Sequence, residues 1–214
     1  MLFDWRGTLV TSPGPEWAVA RALIRLGRPA PAADVAAVVA AVVAANGEEN
    51  RLDTPGMDAD AGLHREIALA VYRDAGLDAR LSESLYDVDA DPAYNLFADD
   101  VETTLRALRA RQIAIAVVSD IHFDIRPLFA AVGGVGLVDV FTLSFEQGTQ
   151  KPEPAMFTST LSALGVGADQ ALMVGDRSRP DGAAVESGIA TLLLPPLSRT
   201  DDQRLHLVLS LCSP

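Results

Sequence analysis

Residues 113–120 read IAIAVVSD, an unbroken apolar run that ends in a hydroxyl and a carboxylate. Comparable runs precede Asp4, Asp176 and Pro195, and a further run, VDVFTLSF, leads towards Lys151. Continuous apolar runs without alternation are typical of strands that are buried on both faces of a parallel sheet. Helical patterns such as DVETTLRALRARQ and PEPAMFTSTLSALG lie between these runs. The alternation of strand and helix predicts an α/β fold with a doubly wound parallel sheet.

The segment from Pro15 to Asp91 differs from the rest because it contains helical patterns and no convincing strand. Pro15 stands at a predicted helix start, and Gly27, Gly47 and Gly76 stand where helices are predicted to end. We therefore predict a core domain of residues 1–14 and 92–214 and a helical domain of residues 15–91. The stretch LDTPGMD, residues 52–58, is predicted to be a loop inside this insertion.

Composition and charge limit the classes of function. The chain has 214 residues, of which 49% are hydrophobic and 21% are charged, as expected of a globular protein. Its formal net charge of −12 argues against nucleic acid or an anionic membrane as a partner. No signal peptide or membrane-spanning run is recognisable. The single cysteine, Cys212, permits no internal disulfide, so we expect a reducing, cytoplasmic setting.

Four polar side chains follow the apolar runs. In an open parallel sheet, ligands bind beyond the carboxyl ends of the strands, so these four are expected at one edge. Two carboxylates, a hydroxyl and an ammonium group suit a site for Mg²⁺ and a phosphate group. The four residues are Asp4, Ser119, Lys151 (the only lysine in the chain) and Asp176.

The segments that carry these residues resemble a known family. FDWRGTLV (3–10), VVSD (117–120), KPEPAMF (151–157) and VGDRSRPD (174–181) resemble, in this order, the four motifs of the haloacid dehalogenase-like hydrolases. The resemblance covers the core, residues 1–12 and 96–196, and implies a Rossmann-like sheet. The helical insertion is similar to the cap domain that many members carry at this point. The implied activity is the hydrolysis of a small phosphorylated metabolite, with Mg²⁺ as cofactor.

The resemblance also implies roles for individual residues. Asp4 would be the nucleophile that forms an aspartyl-phosphate intermediate. Ser119 and Lys151 would bind the phosphoryl group that is transferred. Asp176 and Asp181 would hold Mg²⁺, together with Asp4 and the backbone carbonyl of Arg6. Such electrostatic clamping supplies most of the catalysis in phosphoryl transfer.

Arg6 is where this chain departs from the phosphatase pattern. The family's phosphatases have a second aspartate there, which protonates the leaving group and then activates water. A guanidinium group stays protonated and cannot replace it. The substrate could have a leaving group that needs no acid, or the protein could bind a phosphorylated ligand without turnover, with Arg6 as a bidentate anion grip. Arg6 could also be a buried structural ion-pair partner. A cap residue could supply the acid instead: Glu48, Glu49, Asp53, Asp58 and His64 are candidates.

Two other branches of the family also lack that aspartate. Phosphonoacetaldehyde hydrolases need a lysine in the cap, which this chain does not have. A metal-independent 2-haloacid dehalogenase remains an alternative, although the segment VGDRSRPD argues against it. Asp120 is a further candidate for substrate binding, while Asp120 and Asp124 could equally cap a helix. The three histidines, His64, His122 and His206, are far apart in sequence and predict no metal cluster.

Overall fold

The computed structural model describes residues 1–131 and 136–212. Its centre is a five-stranded sheet in the order β3-β2-β1-β4-β5, in which every neighbouring pair is parallel. This confirms the predicted doubly wound α/β fold. The strands are β1 (Leu2–Phe3), β2 (Ala116–Ser119), β3 (Val140–Leu143), β4 (Leu172–Gly175) and β5 (Ala190–Leu193).

The first strand is short but central. Leu2 lies between Ala116 and Met173 of the neighbouring strands, while Phe3 lies between the next residue of each strand. Leu2 and Phe3 are both fully buried, and they point to opposite faces because side chains alternate along a strand. The central position explains why this run is apolar on both faces, whereas β5 at the edge of the sheet has Ala190 and Leu193 exposed and so departs from the predicted burial on both faces.

Each face of the sheet is covered by its own group of helices. Phe3 belongs to a core with the helices α5 (Val101–Ala110), α6 (Arg126–Ala131) and α9 (His206–Leu211). Leu2 belongs to a second core with α8 (Pro154–Leu164) and a short 3-10 segment, Gly182–Ser187. The helix α7 (Ser144–Gln147) separates β3 from Lys151, so this lysine does not follow its strand directly.

Residues 15–91, all of which the structure describes, contain four helices and no strand. The helices share a separate hydrophobic core, as expected of an inserted cap, while the exact division between the two domains stays a prediction. In the described part of the chain, none of the helices is long and apolar enough to cross a bilayer. The cap helices are α1 (Pro15–Arg25), α2 (Ala32–Asn46), α3 (Ala61–Asp74) and α4 (Ala79–Asp89).

The helix α4 was not among the patterns recognised in the sequence. Its buried residues include Leu81, Leu85 and Val88, which have the spacing of one helical face. The carboxylate of Asp78 caps its first turn by accepting from two backbone N–H groups. The capping signal was therefore present, although the helix as a whole is rich in polar residues.

The loop between α2 and α3 contains two 3-10 turns, Arg51–Asp53 and Met57–Ala59. We call residues 51–60 the cap loop. Two hydrogen bonds join its residue Asp58 to the core. The Asp58 N–H donates to Gln150 Oε1 at 3.0 Å, and the Asp58 carbonyl accepts from Ser144 Oγ at 2.7 Å. The loop predicted inside the insertion is thus attached to the core by these two hydrogen bonds.

Leu108→Ala tests the core under α5. Leu108 has no exposed surface, so the truncation should lower the free energy of unfolding by about 2–5 kcal/mol. Leu96→Ala is the control, because Leu96 is 56% exposed, and it should cost less than about 1 kcal/mol. Urea denaturation of both variants measures the difference, and equal losses would contradict the assigned core.

Candidate active site

Asp4 stands where β1 ends, and its backbone N–H continues the sheet by donating to the Val174 carbonyl at 2.8 Å. The chain then turns tightly, with the N–H groups of Leu9 and Val10 both donating to the Trp5 carbonyl. Gly7 has a φ of 81° in this turn, and a Cβ there would collide with the Asp176 carboxylate. Glycine is therefore required for the turn to approach the carboxylates of the site.

Lys151 is the centre of the site and has a fully buried side chain. Its Nζ lies 2.6 Å from Asp4 Oδ1 and 2.6 Å from Asp181 Oδ1. Burial alone lowers the pKa of a lysine, but these two carboxylates outweigh it and raise the pKa of Lys151. For the carboxylate of Asp4, burial has the opposite effect and raises the pKa, while the ammonium group of Lys151 lowers it. Lys151 and Asp4 thus form an ion pair that is shielded from water.

Asp4, Asp176 and Asp181 can each direct one carboxylate oxygen to a common point, with these atoms all within 4.8 Å of one another. Asp181 is fixed by the N–H groups of Asp176 and Arg177, which donate to its Oδ2 at 3.1 and 3.0 Å. Burial, and then the charge of Asp4, raises the pKa of Asp176 to about 6. A set of oxygen donors with excess negative charge fits a hard divalent cation such as Mg²⁺.

Ser119 is the last residue of β2 and Asp120 follows it, so both lie at the same edge of the sheet as Asp4. Ser119 is buried and lines a cavity of about 380 Å³ together with Asp4, Arg6 and Asp176. Asp120 lines this cavity and a second one of about 420 Å³, which Lys151 also lines. The Asp120 carboxylate accepts from the Lys151 backbone N–H at 2.8 Å, so it also fixes the lysine segment.

Burial raises the pKa of Asp120 to about 6, against the opposing charge of Lys151. Asp124 behaves differently, because its Oδ1 accepts from the N–H of Arg126 at the start of α6. Of the two carboxylates, only Asp120 lines the cavities, and Asp124 is the helix-capping residue.

The Arg6 guanidinium group is held between the core and the end of α4. Its Nε donates to Asn95 Oδ1 at 2.8 Å, and one of its terminal nitrogens donates to the Asp89 carbonyl at 2.7 Å. The other terminal nitrogen lies 3.3 Å from Asp89 Oδ1, and the group lies 5.6 Å from the centre of the Phe123 ring. Arg6 is thus an ion-pair partner at the cap junction, while its contact with substrate stays a prediction.

The structure contradicts the prediction that the histidines form no metal cluster, because His64 and His122 lie together with Asp58, each with a potential metal-ligand atom within 4.8 Å of the others. His64 of α3 and His122 of the core are stacked, with ring centroids 3.6 Å apart. Asp58 of the cap loop lies beside both, since its Oδ1 is 3.6 Å from His64 Nε2 and 4.0 Å from His122 Nδ1. The sequence did not predict this cluster of Asp58, His64 and His122, because its members come from both the cap and the core. His206 is exposed on α9.

The candidate cap acids are not equally placed. Asp58 lines both cavities and Asp53 lines the larger one. His64 is within reach of Asp58. Glu48 and Glu49 are exposed and are not among the residues that line these two cavities.

Two supporting residues were missed by the sequence analysis. The hydroxyl of Thr8 donates to Asp4 Oδ2 at 3.4 Å and so helps to fix this carboxylate. The buried Arg204 donates to the carbonyls of Gly7 (3.2 Å), Thr8 (2.7 Å) and Pro195, and so fixes the turn after β1. Nothing in the sequence around Arg204 signals this, because its partners are backbone carbonyls.

The comparison with known families agrees with this geometry. A sequence model described as haloacid dehalogenase-like hydrolase, a family of hydrolases, matches residues 1–187. The chain belongs to the haloacid dehalogenase-like hydrolases. Its fold and its enzyme class, a hydrolase related to phosphatases, follow from that membership.

Curated relatives of this hydrolase include two phosphatases. A ribulose-1,5-bisphosphate 5-phosphatase of Halopiger xanaduensis is 33% identical over 106 residues, which cover 48% of this chain and 44% of the relative. A phosphoserine phosphatase of Thermus thermophilus is 30% identical over 142 residues, covering 61% and 55%. The chain thus spans about half the length of the curated relatives it matches.

Solved structures share the fold along the whole hydrolase. The HAD-hydrolase YfnB of Bacillus subtilis, bound to magnesium, matches with a TM-score of 0.70 at 15% identity, covering 100% of this chain and 97% of that one. A 2-haloacid dehalogenase of Pseudomonas syringae matches with a TM-score of 0.59 at 21% identity, covering 99% and 98%. At these identities the likeness shows the fold alone.

Asp176→Asn tests the electrostatics of the carboxylate cluster. The pKa of Asp176 rises from 3.8 to about 6 on folding, so the folded protein binds this proton more tightly than the unfolded chain. Without divalent cations, stability is therefore lost as the pH rises from about 4 to about 7. We expect Asp176→Asn to be more stable than the wild type at pH 7 and equally stable near pH 4, as measured by thermal unfolding.

Glu48→Gln is the matched control, because it removes one exposed carboxylate outside the cluster. It should leave the stability unchanged both near pH 4 and at pH 7. Saturating Mg²⁺ should stabilise the wild type more than Asp176→Asn. A variant that is less stable than the wild type at pH 7 would contradict the assigned repulsion.

Proposed function

We propose that this protein is a Mg²⁺-dependent phosphatase that acts on a small phosphorylated metabolite through an aspartyl-phosphate on Asp4. The observation that carries the proposal is the buried Lys151 between Asp4 and Asp181, with Asp176 beside them and a cavity in front. The two phosphatases among the curated relatives support the same reaction. We also propose the cytoplasmic setting that the sequence predicts.

Asp4, Asp176, Asp181 and the Arg6 carbonyl would hold the cation, whose charge would let an anionic phosphoryl group enter this acidic site. Asp4 attacks phosphorus, and the bond to the leaving oxygen breaks as the aspartyl-phosphate forms. The Lys151 ammonium, the Ser119 hydroxyl and the Asp120 region bind the phosphoryl oxygens. Attack by water then returns the Asp4 carboxylate and releases inorganic phosphate.

In this proposal the backbone and the side chain of Arg6 have different roles. Its carbonyl serves the cation, and its guanidinium group joins α4 and Asn95 to the core. A direct grip on substrate is the part of the proposal that this geometry supports least, since the guanidinium group already donates to Asp89 and Asn95. Binding without turnover and metal-independent dehalogenation are the competing functions.

The first test is phosphate release from acetyl phosphate, 4-nitrophenyl phosphate and glycerol phosphate, with and without Mg²⁺. Release should require Mg²⁺, because Asp4, Asp176 and Asp181 otherwise repel an anionic substrate. Asp4→Asn should abolish release, since the amide is a much poorer nucleophile than the carboxylate. Asp124→Asn is the matched control, because Asp124 caps α6, and it should retain most of the activity.

The competing functions give different results. Halide release from 2-chloropropionate in the presence of EDTA, if it is lost in Asp4→Asn, would show that the protein is a metal-independent dehalogenase and not a phosphatase. Tight binding of inorganic phosphate without turnover of any substrate would indicate a binding protein. Phosphate release that persists at the same rate in Asp4→Asn would sink the proposed nucleophile.

A further inference from the structure

Position 6, where the resemblance to phosphatases implies an acid–base aspartate, is an arginine in this chain, and a guanidinium group does not exchange its proton at working pH. From its place at the two cavities, we infer that Asp58 protonates the leaving oxygen and then activates water in the reaction proposed above, on which this inference rests. Asp58 lines the cavity that contains Asp4 and Ser119 and also the cavity that contains Lys151. It is therefore a carboxyl from the cap that faces the reacting groups of the core.

The position of Asp58 is set by the core and not by the cap alone. Its N–H donates to Gln150, the residue before Lys151, and its carbonyl accepts from Ser144 Oγ. Ser144 Oγ in turn accepts at 2.8 Å from the N–H of Ile121, in the segment that follows Ser119. Two hydrogen bonds thus hold the Asp58 backbone against the segments that carry two of the phosphoryl-binding residues.

The surroundings of the Asp58 side chain suit a group that must carry a proton. His64 and His122 are both less than 10% exposed, and His64 Nδ1 and His122 Nε2 are buried without a partner among the described residues. Burial lowers the pKa of His64, and it lowers the pKa of His122 to about 3 with help from His64. The pKa of each ring therefore lies below the ordinary value of histidine, so the two rings carry little positive charge near pH 7 with which to stabilise the Asp58 carboxylate.

Burial accordingly raises the pKa of Asp58, with a further increase from the charge of Asp89. Three groups act in the opposite direction, and burial outweighs them: His64, Arg6 and Arg177. Within residues 1–131 and 136–212, no N–H or O–H group donates a hydrogen bond to the Asp58 carboxyl oxygens, and His64 Nε2 lies just outside hydrogen-bond distance, 3.6 Å from Oδ1. No protein hydrogen bond therefore fixes the charged form of Asp58.

The other carboxyls near the cavities are less suitable. The Asp120 carboxylate already has protein partners, because it accepts from the Lys151 N–H and lies 3.5 Å from an Arg177 nitrogen. Asp176 belongs to the carboxylate cluster that would bind the cation. Asp53 is exposed and lines only the larger of the two cavities.

The step balances as follows. As an oxygen of Asp4 bonds to phosphorus and the bond to the leaving oxygen breaks, the Asp58 proton moves to that oxygen and an alcohol departs. The Asp58 carboxylate then takes a proton from water while the water oxygen bonds to phosphorus and the bond to Asp4 breaks. Inorganic phosphate leaves, and Asp58 is again protonated.

Asp58→Asn provides the test because it retains both backbone hydrogen bonds and the side-chain shape while it removes the proton. For glycerol phosphate, whose alkoxide is a poor leaving group, kcat/KM should fall about 10²–10⁴-fold. For 4-nitrophenyl phosphate, which needs no acid, kcat/KM should fall less than about tenfold. A purely structural role would lower both values by the same factor.

The second half of the cycle gives an independent readout. Without its base, Asp58→Asn should hydrolyse the aspartyl-phosphate slowly, so a rapid release of one equivalent of 4-nitrophenolate should precede slow turnover. Glu49→Gln, which removes an exposed cap carboxyl that lines neither cavity, should show neither change. Asp58→Glu should recover part of the activity on glycerol phosphate, which shows that the variants fold.

The outcomes separate this inference from the proposed function. If the wild type releases no phosphate from any substrate, both fail. If the wild type is an active, Asp4-dependent phosphatase but Asp58→Asn loses the same factor on both substrates, or nothing on either, the proposed function stands and the role of Asp58 is overturned. Selective loss on glycerol phosphate together with the burst supports it.

Discussion

The ion pair between Lys151 and two buried aspartates is the interaction on which the site depends. A buried ammonium group is tolerated only where opposite charges and hydrogen bonds replace its hydration. Asp4, directly after β1, and Asp181, in the segment after β4, supply this replacement, and each lies 2.6 Å from the lysine nitrogen. The same contact therefore connects three distant parts of the sequence and prepares the carboxylate proposed as nucleophile.

The crowding of carboxylates has structural consequences around this pair. Gly7 and Gly175 lie so close to Asp176 and Asp181 that a Cβ at either position would collide with a carboxylate. Arg204 holds the turn from the other side through backbone carbonyls. Part of the fold is thus used to bring like charges together, an arrangement that becomes favourable when a cation neutralises them.

The sequence predicted those parts of the molecule that depend on local pattern. Unbroken apolar runs located the strands, and the polar residues after them located Asp4, Ser119 and Asp176, because parallel strands end at one edge. Lys151 was recognisable because it is the only lysine. The partners of Arg6 were not predictable, since Asp89 and Asn95 are more than 80 residues away and meet it only when the cap lies on the core. The cluster of Asp58, His64 and His122 was hidden for the same reason.

Arg6 and Asp58 together give a physical account of the departure from the phosphatase pattern that the sequence resemblance implies. Arg6 supplies no acid in the turn after β1, but its guanidinium group binds the end of α4 and so ties the cap to the core. The cap loop is tied by separate hydrogen bonds to Gln150 and Ser144. If the acid–base group belongs to the cap, proton transfer is possible only while those contacts are in place. The substitution would then move the acid to the cap, and make catalysis depend on a closed cap.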